Sequence, residues 1–193
     1  MVEYQGDLVV GGDFTSAGGM TATNLARWNG SAWSSFGNAN GAVHALCVDG
    51  NDLLVGGAFT QVGGVGTPKV ARWNGSAWSG FGAGPGGRVK AIARFDGAIY
   101  AGGHLAPDMG YSPFNLMMWT GTAWQPPGSS VDNDVTSLWA LGPHLYAGGS
   151  FTRAGGLPSS YIAAWSQANV SGIPVDGLIG GTPSFGPIVP NPT

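Results

Sequence analysis

Short apolar runs separated by glycine-rich turns make up most of the chain, and they recur at a fixed interval. A segment of the type Leu-Tyr-Ala-Gly-Gly-Ser-Phe-Thr occurs four times, with its glycine pair beginning at Gly11, Gly56, Gly102 and Gly148. The intervals between these pairs are 45, 46 and 46 residues. No window keeps an apolar period of 3.6 residues, so the pattern predicts strands and turns without helices.

Two further elements accompany the glycine pairs. An apolar run precedes copies two to four and starts at Ala42, Arg88 and Asp134. A tryptophan-containing element follows each pair, and its first tryptophans are Trp28, Trp73, Trp119 and Trp165. One unit therefore contains four short strands. A four-stranded unit of about 46 residues is typical of one blade of a β-propeller.

The predicted fold class is all-β, a β-propeller-type array of four four-stranded blades that is incomplete at the termini. The blades span about 1–37, 42–82, 88–128 and 134–172, and a Pro/Gly-rich extended tail covers 173–193. The first copy keeps only a short piece of its first strand, and the fourth lacks a last strand after Trp165. Three explanations remain open: the tail closes the ring, the chain is a piece of a larger propeller, or neighbouring molecules supply the missing strands.

The repeat from Met1 to about Trp165 resembles the propeller repeats of large secreted bacterial surface proteins, and it is distantly similar to kelch and to fungal cortical-marker repeats. The last four residues, Pro190 to Thr193, are similar to the start of the C-terminal sorting domain of the type IX secretion system. These resemblances imply a propeller scaffold that is secreted or displayed at the cell surface. They imply no activity, because propellers carry many unrelated functions.

Composition narrows the classes of partner. Charged residues are 9% of the chain, against roughly 25% in a typical domain, and the net charge is −3 with seven basic residues. Binding to nucleic acid and to anionic membrane surfaces is therefore not expected. No run of about 18 apolar residues predicts membrane insertion. The segment from Met1 to Tyr4 does not resemble a signal peptide, which suggests a cytoplasmic chain, a processed chain or a fragment.

The titratable residues do not form a catalytic pattern. His44, His104 and His144 fall at different positions of the repeat and lack metal-ligand spacing. The stretch Asp132-Asn133-Asp134 is similar to the start of a calcium loop but lacks its later glycine and glutamate. Cys47, the single cysteine, lies in an apolar strand. We therefore predict a protein that is not an enzyme, with no catalytic, cofactor or metal site.

The tryptophans and three asparagines allow two interpretations each. Trp28, Trp73, Trp119 and Trp165 are expected to be buried between blades, and the alternative is a set of sugar-stacking subsites. The N-glycosylation pattern occurs at Asn29, Asn74 and Asn169. The first two asparagines also precede glycine, and Asn-Gly predicts a tight two-residue hairpin turn.

The tail is apolar and nearly uncharged, and we predict that it drives self-assembly by adding a strand to a neighbouring copy. The residues expected to carry this contact are Ile173, Val175, Leu178, Ile179, Phe185, Ile188 and Val189. The function expected from the sequence is a non-catalytic extracellular structural or interaction protein that forms a homo-oligomer or filament. The alternative is a propeller module that binds glycan or protein as part of a secreted adhesin or enzyme.

Overall fold

The structure, a computed structural model, describes residues 1–105, 114–128, 130–166 and 184–186. These residues form strands and turns, and four antiparallel four-stranded sheets follow one another along the chain. We call them sheets I to IV. Among the described residues no helix is long and apolar enough to cross a membrane. The all-β propeller-type array predicted from the repeat is confirmed.

Each sheet is built from strands that lie side by side in chain order. Sheet I contains Val2–Tyr4, Asp7–Gly11, Leu25–Trp28 and Trp33–Ser35. Sheet II contains Val43–Asp49, Asp52–Gly57, Val70–Trp73 and Trp78–Gly80. Sheet III contains Arg88–Phe95, Ala98–His104, Leu116–Trp119 and Trp124–Gln125. Sheet IV contains Val135–Leu141, His144–Gly149, Ile162–Ser166 and Ser184–Gly186. Short hairpins precede the third strand of sheets I, II and IV: Ser16–Ala17 with Met20–Thr21, Gln61–Val62 with Val65–Gly66, and Arg153–Ala154 with Leu157–Pro158.

The last strand of sheet IV comes from the segment predicted to be a tail. Ser184–Gly186 pairs antiparallel with Ile162–Ser166 of the same chain, and Phe185 lies opposite Trp165. In sheet I the tryptophan Trp33 lies opposite Trp28 in the same way. The fourth blade therefore has a last strand, which the sequence analysis did not find. The predicted boundary between residues 172 and 173 lies outside the described residues.

The turn between the third and fourth strands differs by one residue from the predicted Asn-Gly turn. In sheet I the Asn29 amide donates to the Ala32 carbonyl, so the central pair is Gly30-Ser31. Gly30 has a φ of 92°, as suits the first central position of a type II′ turn. The Asn29 side-chain oxygen accepts hydrogen bonds from the Ser31 and Ala32 amides at 3.0 and 2.9 Å. The asparagine therefore stabilises the turn from the corner that precedes the glycine.

The two glycines of each pair have different neighbours. A Cβ built on Gly102 would lie 2.5 Å from Val135 Cγ1, which belongs to the following sheet. The equivalent Cβ on Gly56 would lie 2.6 Å from Val89 Cγ1. At the second glycine, a Cβ on Gly103 would collide with the Arg88 carbonyl oxygen of its own sheet. The first glycine therefore allows neighbouring sheets to approach, and the second accommodates the bulge in the first strand.

Successive sheets pack face to face through their central strands. In the second strand, side chains alternate between a forward face, toward the following sheet, and a backward face, toward the preceding sheet. Tyr100 lies on the forward face of sheet III and packs in one cluster with Leu145 and Ala147 from the backward face of sheet IV. Similar clusters join sheets I and II, and sheets II and III. Among the described residues, the core therefore consists of three inter-sheet clusters for four sheets.

The expectation that all four repeat tryptophans are buried is confirmed only for Trp165, which has no exposed surface. Trp73 and Trp119 are half-buried and contact the phenylalanine of the preceding sheet, with ring centroids 5.5 Å apart for Phe36–Trp73 and 5.4 Å apart for Phe81–Trp119. Trp28 is also half-buried, and no sheet of the described residues precedes sheet I.

Candidate interaction surfaces

No described residue outside sheet IV forms a sheet over its forward face. Trp139, Leu141 and Ile162 lie on this face and are 67%, 61% and 51% exposed. Their equivalents in sheet III are buried beneath sheet IV, with Ala93 at 6%, Phe95 at 6% and Leu116 at 0%. The high exposure therefore results from the absence of a following sheet among the described residues. Large apolar side chains exposed together are typical of an interaction surface.

The backward face of sheet I likewise has no sheet over it among the described residues. Leu8 and Val10 are half-buried, whereas their equivalents in sheet II, Leu53 and Val55, have no exposed surface. Beside them Trp28 and Trp33 form a tilted aromatic pair, with centroids 5.5 Å apart.

In sheets II and III the matching tryptophan pair receives a phenylalanine from the preceding sheet. Phe81 of sheet II contacts Trp119 and Trp124 of sheet III, with centroids 5.4 and 6.1 Å apart. The Trp124 indole also donates a hydrogen bond to the Phe81 carbonyl. On the described part of sheet I, no phenylalanine occupies the equivalent place beside Trp28 and Trp33. The two ends of the array therefore expose opposite halves of one recurring interface.

The three histidines lie apart in the structure. His44 is the second residue of the first strand of sheet II and is exposed, and His144 begins the second strand of sheet IV, where it contacts the Tyr146 ring. His104 is the last residue of the second strand of sheet III, and its Nδ1 is 2.9 Å from Asp134 Oδ1. The structure therefore does not bring the histidines together into a catalytic or metal-binding cluster within the described residues.

The aspartates of the calcium-like stretch hold neighbouring segments together. Asp132 accepts hydrogen bonds from the Thr152 and Arg153 amides, and the Arg153 bond contributes most to lowering the pKa of its carboxyl. Asp134 contacts Lys90 at 2.5 Å and His104 at 2.9 Å, both from sheet III. The hydrogen bond from Lys90 is the main cause of the lowered pKa of Asp134. These carboxylates therefore connect protein segments to one another.

Burial raises the pKa of two further titratable groups. Burial raises the pKa of the Cys47 thiol, which disfavours the reactive thiolate at neutral pH. Burial, followed by the nearby Asp96 carboxylate, raises the pKa of Tyr100 to about 12. Both residues lie on forward faces, Cys47 in sheet II and Tyr100 in sheet III, and both belong to the packed clusters. Their position indicates a structural role for each.

The remaining residues predicted to be functional are distributed as follows. Asn29 and Asn74 are exposed in hairpin turns, and Asn169 lies outside the described residues. Of the tail residues, Phe185 is placed in the last strand of sheet IV. Ile173, Val175, Leu178, Ile179, Ile188 and Val189 lie outside the described residues.

Comparison with known proteins adds one match. A family model described as "Domain of unknown function (DUF5122) beta-propeller" matches residues 51–75. This stretch contains the second and third strands of sheet II and the short hairpin between them. A search of curated proteins finds no match. The family match and the four sheets together identify a β-propeller-type repeat.

Proposed function

We propose that the chain is a non-catalytic structural and interaction module that assembles with further copies of itself at the cell surface or outside the cell. The observation that carries this proposal is the uncovered forward face of sheet IV, with Trp139, Leu141 and Ile162 exposed together. An apolar face of this kind is costly to leave in water, and burial against another sheet removes that cost.

The contacts of the polar residues support a binding role over a catalytic one. Asp132 and Asp134, the acidic residues of the calcium-like stretch, already bind backbone amides or side chains of the protein. The low charge content also favours association, because repulsion between copies is weak. The extracellular location is supported by the resemblance of the repeat to those of secreted surface proteins.

The pairing of part of the tail within its own chain supports a proposed route of assembly that differs from the one predicted for the tail. Ser184–Gly186, a part of the predicted tail, already pairs within its own chain and occupies the edge of the third strand of sheet IV. We therefore place the association on the faces of the end sheets, where side chains are uncovered, instead of on that edge.

The test is the mass of the full chain by light scattering between about 1 and 100 μM, together with a variant that lacks two of the predicted tail residues, Ile188 and Val189. A chain that ends at Gly186 keeps the last strand of sheet IV and loses residues 187–193. We expect full-length protein and this variant to form the same oligomer. A monomer throughout this range would overturn the assembly function, and loss of the oligomer only in the shortened chain would restore the tail as its cause.

A second candidate function is binding of a glycan at the tryptophan pair of sheet I. Trp28 and Trp33 are half-buried, with their centroids 5.5 Å apart, and aromatic faces of this kind stack on sugar rings. Titration with a panel of oligosaccharides, followed by tryptophan fluorescence, tests this candidate. A change in fluorescence that the Trp33→Ala variant lacks would favour it, and an unchanged signal across the panel would reject it.

A further inference from the structure

One packing rule governs all three inter-sheet contacts of the described residues. On the forward face, the first glycine of the pair leaves space for a valine of the next sheet: Gly11 for Val43, Gly56 for Val89, and Gly102 for Val135. Around it, apolar side chains of the forward face meet the second and third strands of the next sheet. Each contact therefore joins one forward face to one backward face, always in the same order.

Sheet IV repeats the forward half of this contact. Gly148 occupies the position of Gly102, and among the described residues a Cβ on it would approach only Ser137 and Tyr161 of its own sheet and loop. Tyr146 stands at the position of Tyr100, and Ile162 at the position of Leu116. Tyr146 and Ile162 are partly or largely exposed, whereas Tyr100 and Leu116 are buried. Sheet IV therefore has a surface shaped for a following sheet.

Sheet I repeats the backward half. Leu8, Val10 and Trp28 stand where Leu53, Val55 and Trp73 of sheet II pack against sheet I. None of these three sheet I residues belongs to the inter-sheet clusters of the described residues. The forward face of sheet IV is therefore complementary to the backward face of sheet I, in the same way as the forward face of sheet I is complementary to the backward face of sheet II.

We propose that the forward face of sheet IV binds the backward face of sheet I of a second copy, head to tail. This inference rests on the proposed self-assembly and names its surfaces. Two copies joined in this way use both faces twice and form a ring of eight sheets, at the upper end of the range of four to eight blades that is usual for propellers. The expected species is a dimer.

The test uses one charged variant on each face. The Ile162→Glu and Trp139→Glu variants alter sheet IV, and Val10→Glu alters sheet I. Each substitution places a charge in an apolar interface, and the loss of a central aromatic anchor such as Trp139 typically raises the dissociation constant by about 30-fold or more. We expect each variant alone to be monomeric at concentrations where the unchanged protein is a dimer.

The mixing experiment separates a head-to-tail contact from a symmetric one. In an equimolar mixture of the sheet I and sheet IV variants, one intact contact is possible, so we expect a heterodimer that neither variant forms alone. If sheet IV of one copy bound sheet IV of another, the sheet I variant would remain a dimer on its own. Mixing the two variants would then form no heterodimer. That result would overturn the inference while leaving self-assembly intact.

The matched control is Leu157→Glu. Leu157 is an exposed apolar residue of the short hairpin of sheet IV, and its equivalent Val65 is exposed in sheet II even though sheet III follows. Its exposure is therefore independent of a neighbouring sheet, and the variant should remain a dimer. Thermal unfolding of every variant, monitored by circular dichroism, separates loss of contact from loss of fold. Folded Trp139→Glu and Ile162→Glu proteins that stay dimeric would refute the proposed surface.

Discussion

A single methyl group added at equivalent glycines of sheets III and IV tests the packing rule directly. Gly102 and Gly148 occupy the same position, and both lie in the second strand of their sheets. At Gly102 the new Cβ of alanine would lie 2.5 Å from Val135 Cγ1 and 2.9 Å from Val135 Cβ. Val135 is fully buried and β-branched, so it has little freedom to move aside.

At Gly148 the nearest described neighbour of the same methyl group is a side chain that can move. The nearest atom is Ser137 Oγ at 2.6 Å, and Ser137 is an exposed residue whose side chain can rotate. Overpacking of a core typically costs about 1–3 kcal/mol, whereas replacing glycine by alanine restricts the unfolded chain and contributes about 0.4–1 kcal/mol. We therefore expect Gly102→Ala to lower the free energy of unfolding by about 0.5–2.5 kcal/mol and Gly148→Ala to leave it nearly unchanged.

The assay is thermal unfolding of the two variants and the unchanged protein at a concentration where each is monomeric. For a chain of this size, 1 kcal/mol corresponds to about 2–4 °C, so Gly102→Ala should unfold several degrees earlier. The Gly148→Ala protein should unfold within about 2 °C of the unchanged protein. An equal loss in both variants, or none at Gly102, would refute the assignment of the first glycine to the contact between sheets.

Three further predictions follow from individual contacts. Phe81→Ala should destabilise the fold by about 3–5 kcal/mol in urea unfolding, because Phe81 packs against Trp119 and Trp124; Val65→Ala, at an exposed hairpin position, should cost less than 1 kcal/mol. The lowered pKa of Asp134 stabilises the fold above the unfolded-state pKa near 3.8, and this contribution is lost as the pH falls through the lower folded-state pKa; Asp134→Asn should therefore flatten the acid limb of the stability profile, and an unchanged limb would contradict it. Cys47 should react with a thiol reagent at pH 7 much more slowly than an unfolded control, since burial raises the pKa of its thiol, and equal rates in native and unfolded protein would argue against that burial.

The repeat made the main architecture predictable from sequence. Because glycine pairs and tryptophans recur every 45 or 46 residues, the number of sheets and the order of their strands follow from the pattern. The strand Ser184–Gly186 was missed for a physical reason. It lies 18 residues beyond the end of its partner strand at Ser166, and Phe185 stands where the other sheets have a tryptophan, so neither spacing nor residue type marks it.

The local backbone geometry could not be predicted from the sequence pattern either. Asn24, Lys69 and Tyr161 share a left-handed conformation, with φ of 62°, 65° and 69°, just before the third strands of sheets I, II and IV. Asparagine adopts this conformation readily, but lysine and tyrosine rarely do. In each sheet the carbonyl of this residue accepts a hydrogen bond from the second glycine of the pair. The repeated tertiary contact therefore imposes a conformation that Lys69 and Tyr161 would not favour alone.

The kind of contact expected at the ends of the array depends on which groups of sheet IV have no partner among the described residues. Its third strand has a backbone partner, because Ser184–Gly186 pairs with it, but the side chains of its forward face have none among the described residues. Association through a face depends on side-chain volume and apolar area, whereas association through an edge depends on backbone hydrogen bonds. A face contact should therefore be sensitive to a charge at Trp139 or Ile162 and nearly insensitive to salt, since those side chains are uncharged. Dissociation of the dimer on addition of salt would contradict this prediction, because it would require charged groups at the contact. Trp139, Leu141 and Ile162, which are exposed on the forward face of sheet IV, carry no charge.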